Sequence, residues 1–200
     1  LLIHVEGETE ETFVNEVLRG HLMARGYSRV SARLLGNARQ RDRRGGIRAW
    51  ESSRRDILSH LRGDPGCVAS TMVDYYAMPQ SGPRAWPGRA EAGRHTSSER
   101  AEGVERALLT DVTVQMGESF DPRRFVPFVT MHEFEALLFS DCQRFGRGIG
   151  REDLVPALES IRGEFATPEE IDDSPITAPS KRVEALVDGY QKPLLGTLAA

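Results

Sequence analysis

Leu1-Leu2-Ile3-His4-Val5-Glu6-Gly7-Glu8-Thr9-Glu10 decides how the fold is read. A short apolar run carrying Ile and Val reads as a buried strand, and it stops at an acid followed by glycine. Glu6 then stands at the carboxyl end of that strand. Gly7 permits a sharp turn, and Thr9 is placed to cap a helix beginning near Glu10. In parallel α/β sheets ligands bind beyond the carboxyl ends of the strands, so an acid in this position faces the usual site. The alternative is a plain strand-to-turn junction whose acids only favour the helix N-terminus.

Outward from that turn the chain alternates between two periodicities. Phe13, Val14, Val17, Leu18 and Leu22 fall at helical spacing, with Gly26 just past the end. Ser28 to Leu35 alternates as a second strand, and the arginine-crowded stretch from Gly36 to Gly46 reads as a long loop. Ile47 to Leu61 returns to helical spacing and breaks at Gly63-Asp64-Pro65-Gly66. Cys67 to Tyr76 is a third apolar strand, again reaching an acid, Asp74. Met78 to Thr96 is rich in Pro and Gly and reads as a long, mobile loop beside the acids. Ser97 to Met116 is helical, and Arg124 to Thr130 is a fourth strand in which Pro127 points to an edge or a bulge.

Strand, helix, strand, helix, strand predicts right-handed βαβ units. The expectation is an α/β core over residues 1–141 with a mainly parallel four-stranded sheet flanked by helices. Residues 142–200 are expected to form a helical, loop-rich extension packed on it, with Thr167-Pro168-Glu169-Glu170 as a helix start.

Composition narrows the classes. Two hundred residues, 39% hydrophobic and 28% charged, suit a globular domain with a real core. No run approaches the roughly 18 apolar residues of a membrane span. Cys67 and Cys142 lack paired spacing, so a reducing cytoplasm is expected rather than a disulfide framework. His132-Glu133 is not the HExxH of a zinc protease, and neither a Walker A loop nor a GxSxG elbow is present.

The chemistry lies in the acids. Three predicted strands end in carboxylates: Glu6, Asp74, and the Glu133/Glu135 pair. On extended backbone Glu133 and Glu135 would point the same way. Like charges gathered at one sheet edge repel unless protons or a cation neutralise them. Carboxylates without thiolates or clustered imidazoles suit Mg²⁺ or Mn²⁺. Otherwise each acid faces water or pairs with one of the many arginines. Arg39 to Arg55 carries seven arginines, among them Arg43, Arg44 and Arg48, enough to engage phosphates. Lys181 and Arg182 stand out because lysine occurs at only one other position, Lys192.

The VEGETEETFV opening resembles the first motif of the Toprim superfamily, a glutamate-glycine at the end of the first strand. With GGIRAWESSRRDI, VDYYAMP, MHEFEALLFSD and TPEEIDDSPITAPSKR, nearly the whole chain resembles one bacterial family of unknown function placed among Toprim-like proteins. That resemblance implies a Glu for metal or acid–base work and a later Asp-x-Asp for Mg²⁺. Glu6 matches the Glu and Asp74 the first Asp, but Tyr76 stands at the second Asp position.

The resulting expectation is a Mg²⁺- or Mn²⁺-dependent phosphodiesterase acting on DNA or RNA. Glu6, Asp74 and Glu133 or Glu135 would hold the metal, with Glu6 and Lys181 catalytic. Arg43, Arg44, Arg48, Lys181 and Arg182 would lie along the nucleic acid. Resemblance to nuclease partners of ATPases in anti-phage modules implies an ATPase partner. The competing expectation is a non-catalytic module, binding nucleic acid or a partner, whose metal site has eroded.

Overall fold

The computed structural model describes residues 1–35, 47–90, 96–131, 133–171 and 178–190. The chain divides into two units, Leu1–Met131 and His132–Ala200.

In the first unit, β1 (Leu2–Val5) is the apolar run of the opening stretch and lies inside the sheet. It is flanked on one side by β2 (Ser31–Leu34) and on the other by β3 (Ala69–Asp74), both parallel to it. The expected fourth strand arrives in two pieces, β4 (Phe125–Val126) and β5 (Val129–Thr130), each parallel to β3. Pro127 brings no N–H to the ladder. Beside the gap, the Thr71 hydroxyl donates to the Phe128 carbonyl and accepts its N–H, each at 2.9 Å. The result is an α/β fold with a mainly parallel sheet flanked by helices, ordered β2-β1-β3-β4, consistent with a Toprim-like arrangement.

Helices follow each strand crossing. The first is α1 (Glu8–Phe13), which runs through a π-helical turn, Val14–Leu18, into α2 (Arg19–Met23). Its cap is Gly7 rather than Thr9, because Glu10 reaches back to accept the Gly7 N–H at 3.0 Å. Of the apolar stripe predicted here only Val14 is fully buried. The π turn carries an extra residue per turn and rotates the residues beyond it. Asn15, inside that turn, accepts the Ala32 N–H of β2 at 3.1 Å. The chain leaves α2 through Gly26 at φ 106, a left-handed conformation that favours glycine.

The main core lies where α3 (Trp50–Gly63) and α4 (Ser97–Met116) meet the sheet. Ile57, Leu61, Val104, Leu108 and Val112 pack there with Ala69, Val73 and Tyr75. Arg124 closes the end of α3 by donating to the Leu61, Asp64 and Cys67 carbonyls at 2.7–3.0 Å. No described helix is long and apolar enough to cross a membrane, and both cysteines are free.

A histidine pair joins β1 to α3, with His60 half-buried. His4 is fully buried; its Nδ1 lies 3.2 Å from the Ser70 carbonyl and its Nε2 3.2 Å from Nδ1 of His60. A carbonyl only accepts, so His4 carries its proton on Nδ1, and His60 donates from Nδ1 to the bare Nε2. Charging His4 would leave two donors facing each other. Burial, followed by the nearby His60 and Arg33, holds its pKa down to about 4, against the Ser70 bond that favours the proton. The folded protein therefore excludes a proton that the unfolded chain binds below about 6.5. Stability from His4 is fully present above that pH and is lost as the pH falls towards 4, by up to about 3 kcal/mol. Urea midpoints for wild type and His4→Gln between pH 7 and 4 should diverge at neutral pH and converge in acid. A constant gap would refute the assignment.

In the second unit, short helices dominate: α5 (Glu135–Leu138), α6 (Cys142–Gly148), α7 (Val155–Gly163) and α8 (Pro179–Leu186). The proposed helix start at Thr167 yields only a 3-10 turn, Pro168–Glu170.

Candidate acidic site at the carboxyl edge of the sheet

Glu6 is the first residue beyond β1, and Asp74 is the last residue of β3. Because β1 and β3 are adjacent and parallel, both acids reach the same edge. The Asp74 N–H points at Oε2 of Glu6 at 3.4 Å, and Oδ1 of Asp74 accepts the Thr130 hydroxyl of β5 at 2.8 Å. The Val73 carbonyl, 3.1 Å from the same hydroxyl, shares its single proton.

Burial is the main reason Glu6 resists ionisation. Its pKa is pushed up to about 7, with Glu10 adding to the rise, while hydrogen bonds from the backbone at Asp74 and Ile47 pull the other way. A carboxyl that titrates near neutrality at a sheet edge is the type of group expected in acid–base chemistry.

The Ile47 contact reveals a support that pattern reading missed. Arg84 donates to the Ile47 carbonyl at 3.1 Å, and the Trp86 indole donates to the Arg48 carbonyl at 2.8 Å. Trp86 is 2% exposed and packs against Trp50 with ring centroids 4.9 Å apart. In the described part of the long loop, residues 78–90, Met78, Trp86 and Arg89 are buried, and the loop straps residues 47 and 48 beside Glu6. The only signal in the sequence was a tryptophan and arginines within a stretch of turn formers. Trp86→Phe keeps the ring and removes the indole donor. It is expected to loosen the strap, weaken the Ile47 bond and raise the Glu6 pKa further. A carbon-13 NMR titration of the metal-free protein reads this directly, and an unchanged or lower value would refute the strap.

The other candidates are placed as follows. Arg43 and Arg44 lie outside the described residues. Arg48 is half-buried, with its carbonyl held by Trp86. Glu133, Glu135, Lys181 and Arg182 all belong to the second unit. There Glu133 and Glu135 do not share an extended strand: Glu135 opens α5, and Glu133 precedes it. Glu133 accepts the Ser180 N–H at 3.1 Å, and Glu135 is 1% exposed. Lys181 pairs with Glu184 at 2.6 Å, while Arg182 pairs with Glu164 at 3.2 Å and lies over the Phe165 ring. Burial and then Glu135, Glu133 and Glu184 push the Tyr190 hydroxyl well above its usual range. Glu184 and Tyr190 were not singled out from the sequence.

Among the described residues, no three His, Cys, Asp or Glu side chains gather as a metal-binding group. Two carboxylate residues at one sheet edge nevertheless suit Mg²⁺, which retains several waters and is commonly held by one or two carboxylates plus substrate phosphates. The donor set at Glu6 and Asp74 fits that hydrated mode and not an all-protein cage.

Fold and site together define an α/β protein with an acidic pair at the carboxyl edge of a parallel sheet. The chain belongs to the family described as domain of unknown function DUF4276, whose model matches residues 5–200. No curated protein and no solved structure matches it.

Proposed function

We propose that this protein is a Mg²⁺- or Mn²⁺-dependent phosphodiesterase acting on nucleic acid, and that it works with a partner ATPase. The observation that carries the reading is the Glu6 carboxyl, beside Asp74 at the sheet edge, with a pKa pushed up to about 7. The glutamate-glycine that resembles the first Toprim motif supports it, since Toprim enzymes use that Glu for metal or acid–base work. The ATPase partner rests on the resemblance to anti-phage modules alone.

When bound, a divalent cation supplies positive charge to the phosphate and to the attacking water. Glu6, whose carboxyl sits at the sheet edge against the Asp74 N–H, accepts the proton from that water. Asp74, oriented by Thr130, fixes the second side of the acidic pair. The reading stands on these residues of the first unit; Glu133, Glu135 and Lys181 are engaged within the second.

A second reading, a non-catalytic nucleic-acid or partner-binding module, is favoured by Tyr76. It occupies the second Asp position, and its hydroxyl accepts from Arg100 at 3.3 Å. End-labelled single- and double-stranded DNA and RNA, with Mg²⁺, Mn²⁺ or EDTA and with and without the ATPase, separate the two. Cleavage that requires metal and is lost in Glu6→Gln supports the enzyme. Cleavage that survives Glu6→Gln sinks it, and no cleavage in any arm leaves the binding module.

A further inference from the structure

Tyr76 leaves the sheet two residues past Asp74 and remains 41% exposed, whereas its neighbour Tyr75 is 1% exposed. An exposed ring on a surface loop is normally free to turn. This one is held on several sides. The Tyr75 ring meets it edge to face, with centroids 5.1 Å apart at 83°. The Arg89 guanidinium lies 3.9 Å from the Tyr75 centroid and 5.7 Å from that of Tyr76. Arg100 donates to the Tyr76 hydroxyl at 3.3 Å.

Both arginines are unusual. Arg89 is 6% exposed and donates from Nε to the Tyr75 carbonyl at 2.9 Å; with the Gln80 amide turned so that its oxygen faces the guanidinium, that oxygen accepts at 2.9 and 3.2 Å. Arg100 lies in the first turn of α4, where the helix dipole disfavours a cation. Its Nε is buried with no partner among the described residues. Neither guanidinium is paired with a carboxylate among those residues. Arg89, buried and engaged by Tyr75 and Gln80, fixes the rings, while Arg100 stands beside the exposed Tyr76 ring, which suits the surface to a planar group that carries negative charge beside it.

We infer that Tyr76 is a stacking platform for an unpaired nucleobase, held in place by Tyr75 and Arg89, with Arg100 drawing in the adjoining phosphate. The inference rests on the nucleic-acid reading above and narrows its substrate to single strands. Aromatic rings flanked by arginine bind single strands because every base presents a π-face, whereas a duplex keeps its bases stacked on one another. Two residues of chain span at most about 7 Å. A base on Tyr76 therefore brings its own phosphate to the edge that carries Asp74 and Glu6. The tyrosine at the second Asp position thus takes a substrate-holding role in place of a metal ligand.

Fluorescence anisotropy in EDTA tests this without cleavage, using labelled 12-residue oligothymidylate, its oligouridylate counterpart and a blunt duplex. Wild type should bind the single strands more tightly than the duplex, and the two single-stranded arms report whether the sugar matters. Tyr76→Leu keeps bulk without a π-face and should weaken single-strand binding by roughly tenfold or more, leaving the duplex unchanged. Tyr76→Trp, a larger platform, should bind at least as tightly as wild type, and circular dichroism confirms that both variants are folded. Equal single-strand affinity in folded Tyr76→Leu, no preference for single strands, or no binding by wild type would each overturn the platform. Should Tyr76→Leu not fold, tenfold weaker binding by Tyr76→Trp would do the same. The hydrolytic reading fails separately. Ring-dependent binding with no metal-dependent cleavage retires the enzyme and keeps the platform, while cleavage indifferent to Tyr76→Leu does the reverse.

Discussion

Glu6→Gln is expected to stabilise the metal-free protein at pH 8 while removing metal-dependent hydrolysis. The stability effect follows from the direction of the Glu6 shift. The folded protein holds this carboxyl protonated up to about 7, whereas an ordinary glutamate loses its proton near 4.5. Between those values the native state binds more protons than the unfolded chain, so stability falls as the pH rises. The penalty is absent below about 4.5 and complete above about 7, where it reaches up to about 3 kcal/mol. Glutamine has no such titration, and its side-chain oxygen can still accept the Asp74 N–H. Urea unfolding in EDTA should show Glu6→Gln ahead of wild type at pH 8 and level with it at pH 4. An equal gap at both pH values would mean that the carboxyl is not held neutral. Hydrolysis should fall by about a hundredfold or more, the scale lost with a group acting only in the transition state. A residue that lowers stability where it would work is characteristic of a functional site, because selection for packing alone would have removed it.

The second large effect is expected from Gly88→Ala. Gly88 has φ +75, and a Cβ there would lie 2.9 Å from the Ala107 Cβ, 3.0 Å from the Gly103 carbonyl and 3.1 Å from the Val104 Cα. None of those atoms is the flexible end of a side chain. The left-handed backbone alone costs an alanine about 1 kcal/mol, and the overpacking adds about 1–3. Gly82 provides the comparison, with φ +72 and open space around its missing Cβ. Gly82→Ala should therefore show only the backbone cost, about 1 kcal/mol. Lifting residue 88 off α4 should also disturb Trp86, so the tryptophan fluorescence of Gly88→Ala should shift red while that of Gly82→Ala stays put. Equal destabilisation by the two substitutions would remove the packing argument.

His4 and Glu6, two residues apart on one short segment, bear on the pH range of the protein in opposite senses. His4 adds stability as the pH rises from about 4 to 6.5, and Glu6 withdraws it from about 4.5 to 7. Across the shared interval they nearly cancel, so substituting either one should uncover the slope of the other.

What the sequence determined by itself is local. Apolar runs ending in acids placed β1 and β3, helical spacing placed α3 and α4, and Pro127 marked the break between β4 and β5. Each of these depends on a residue and its near neighbours in the chain, through periodicity, turn chemistry or a missing N–H. The meeting of Glu6 with Asp74 was also readable, because two parallel neighbouring strands must deliver their ends to one edge. What only the tertiary structure decided depends on groups far apart in sequence. Desolvation of Glu6, the strap from Trp86 to Arg48, and the seating of Tyr76 between Tyr75, Arg89 and Arg100 leave no periodic trace. The Glu133/Glu135 pair was misread for the same reason. Two residues of spacing imply a shared face only on extended backbone, and whether that backbone extends or opens α5 is settled by how the second unit packs.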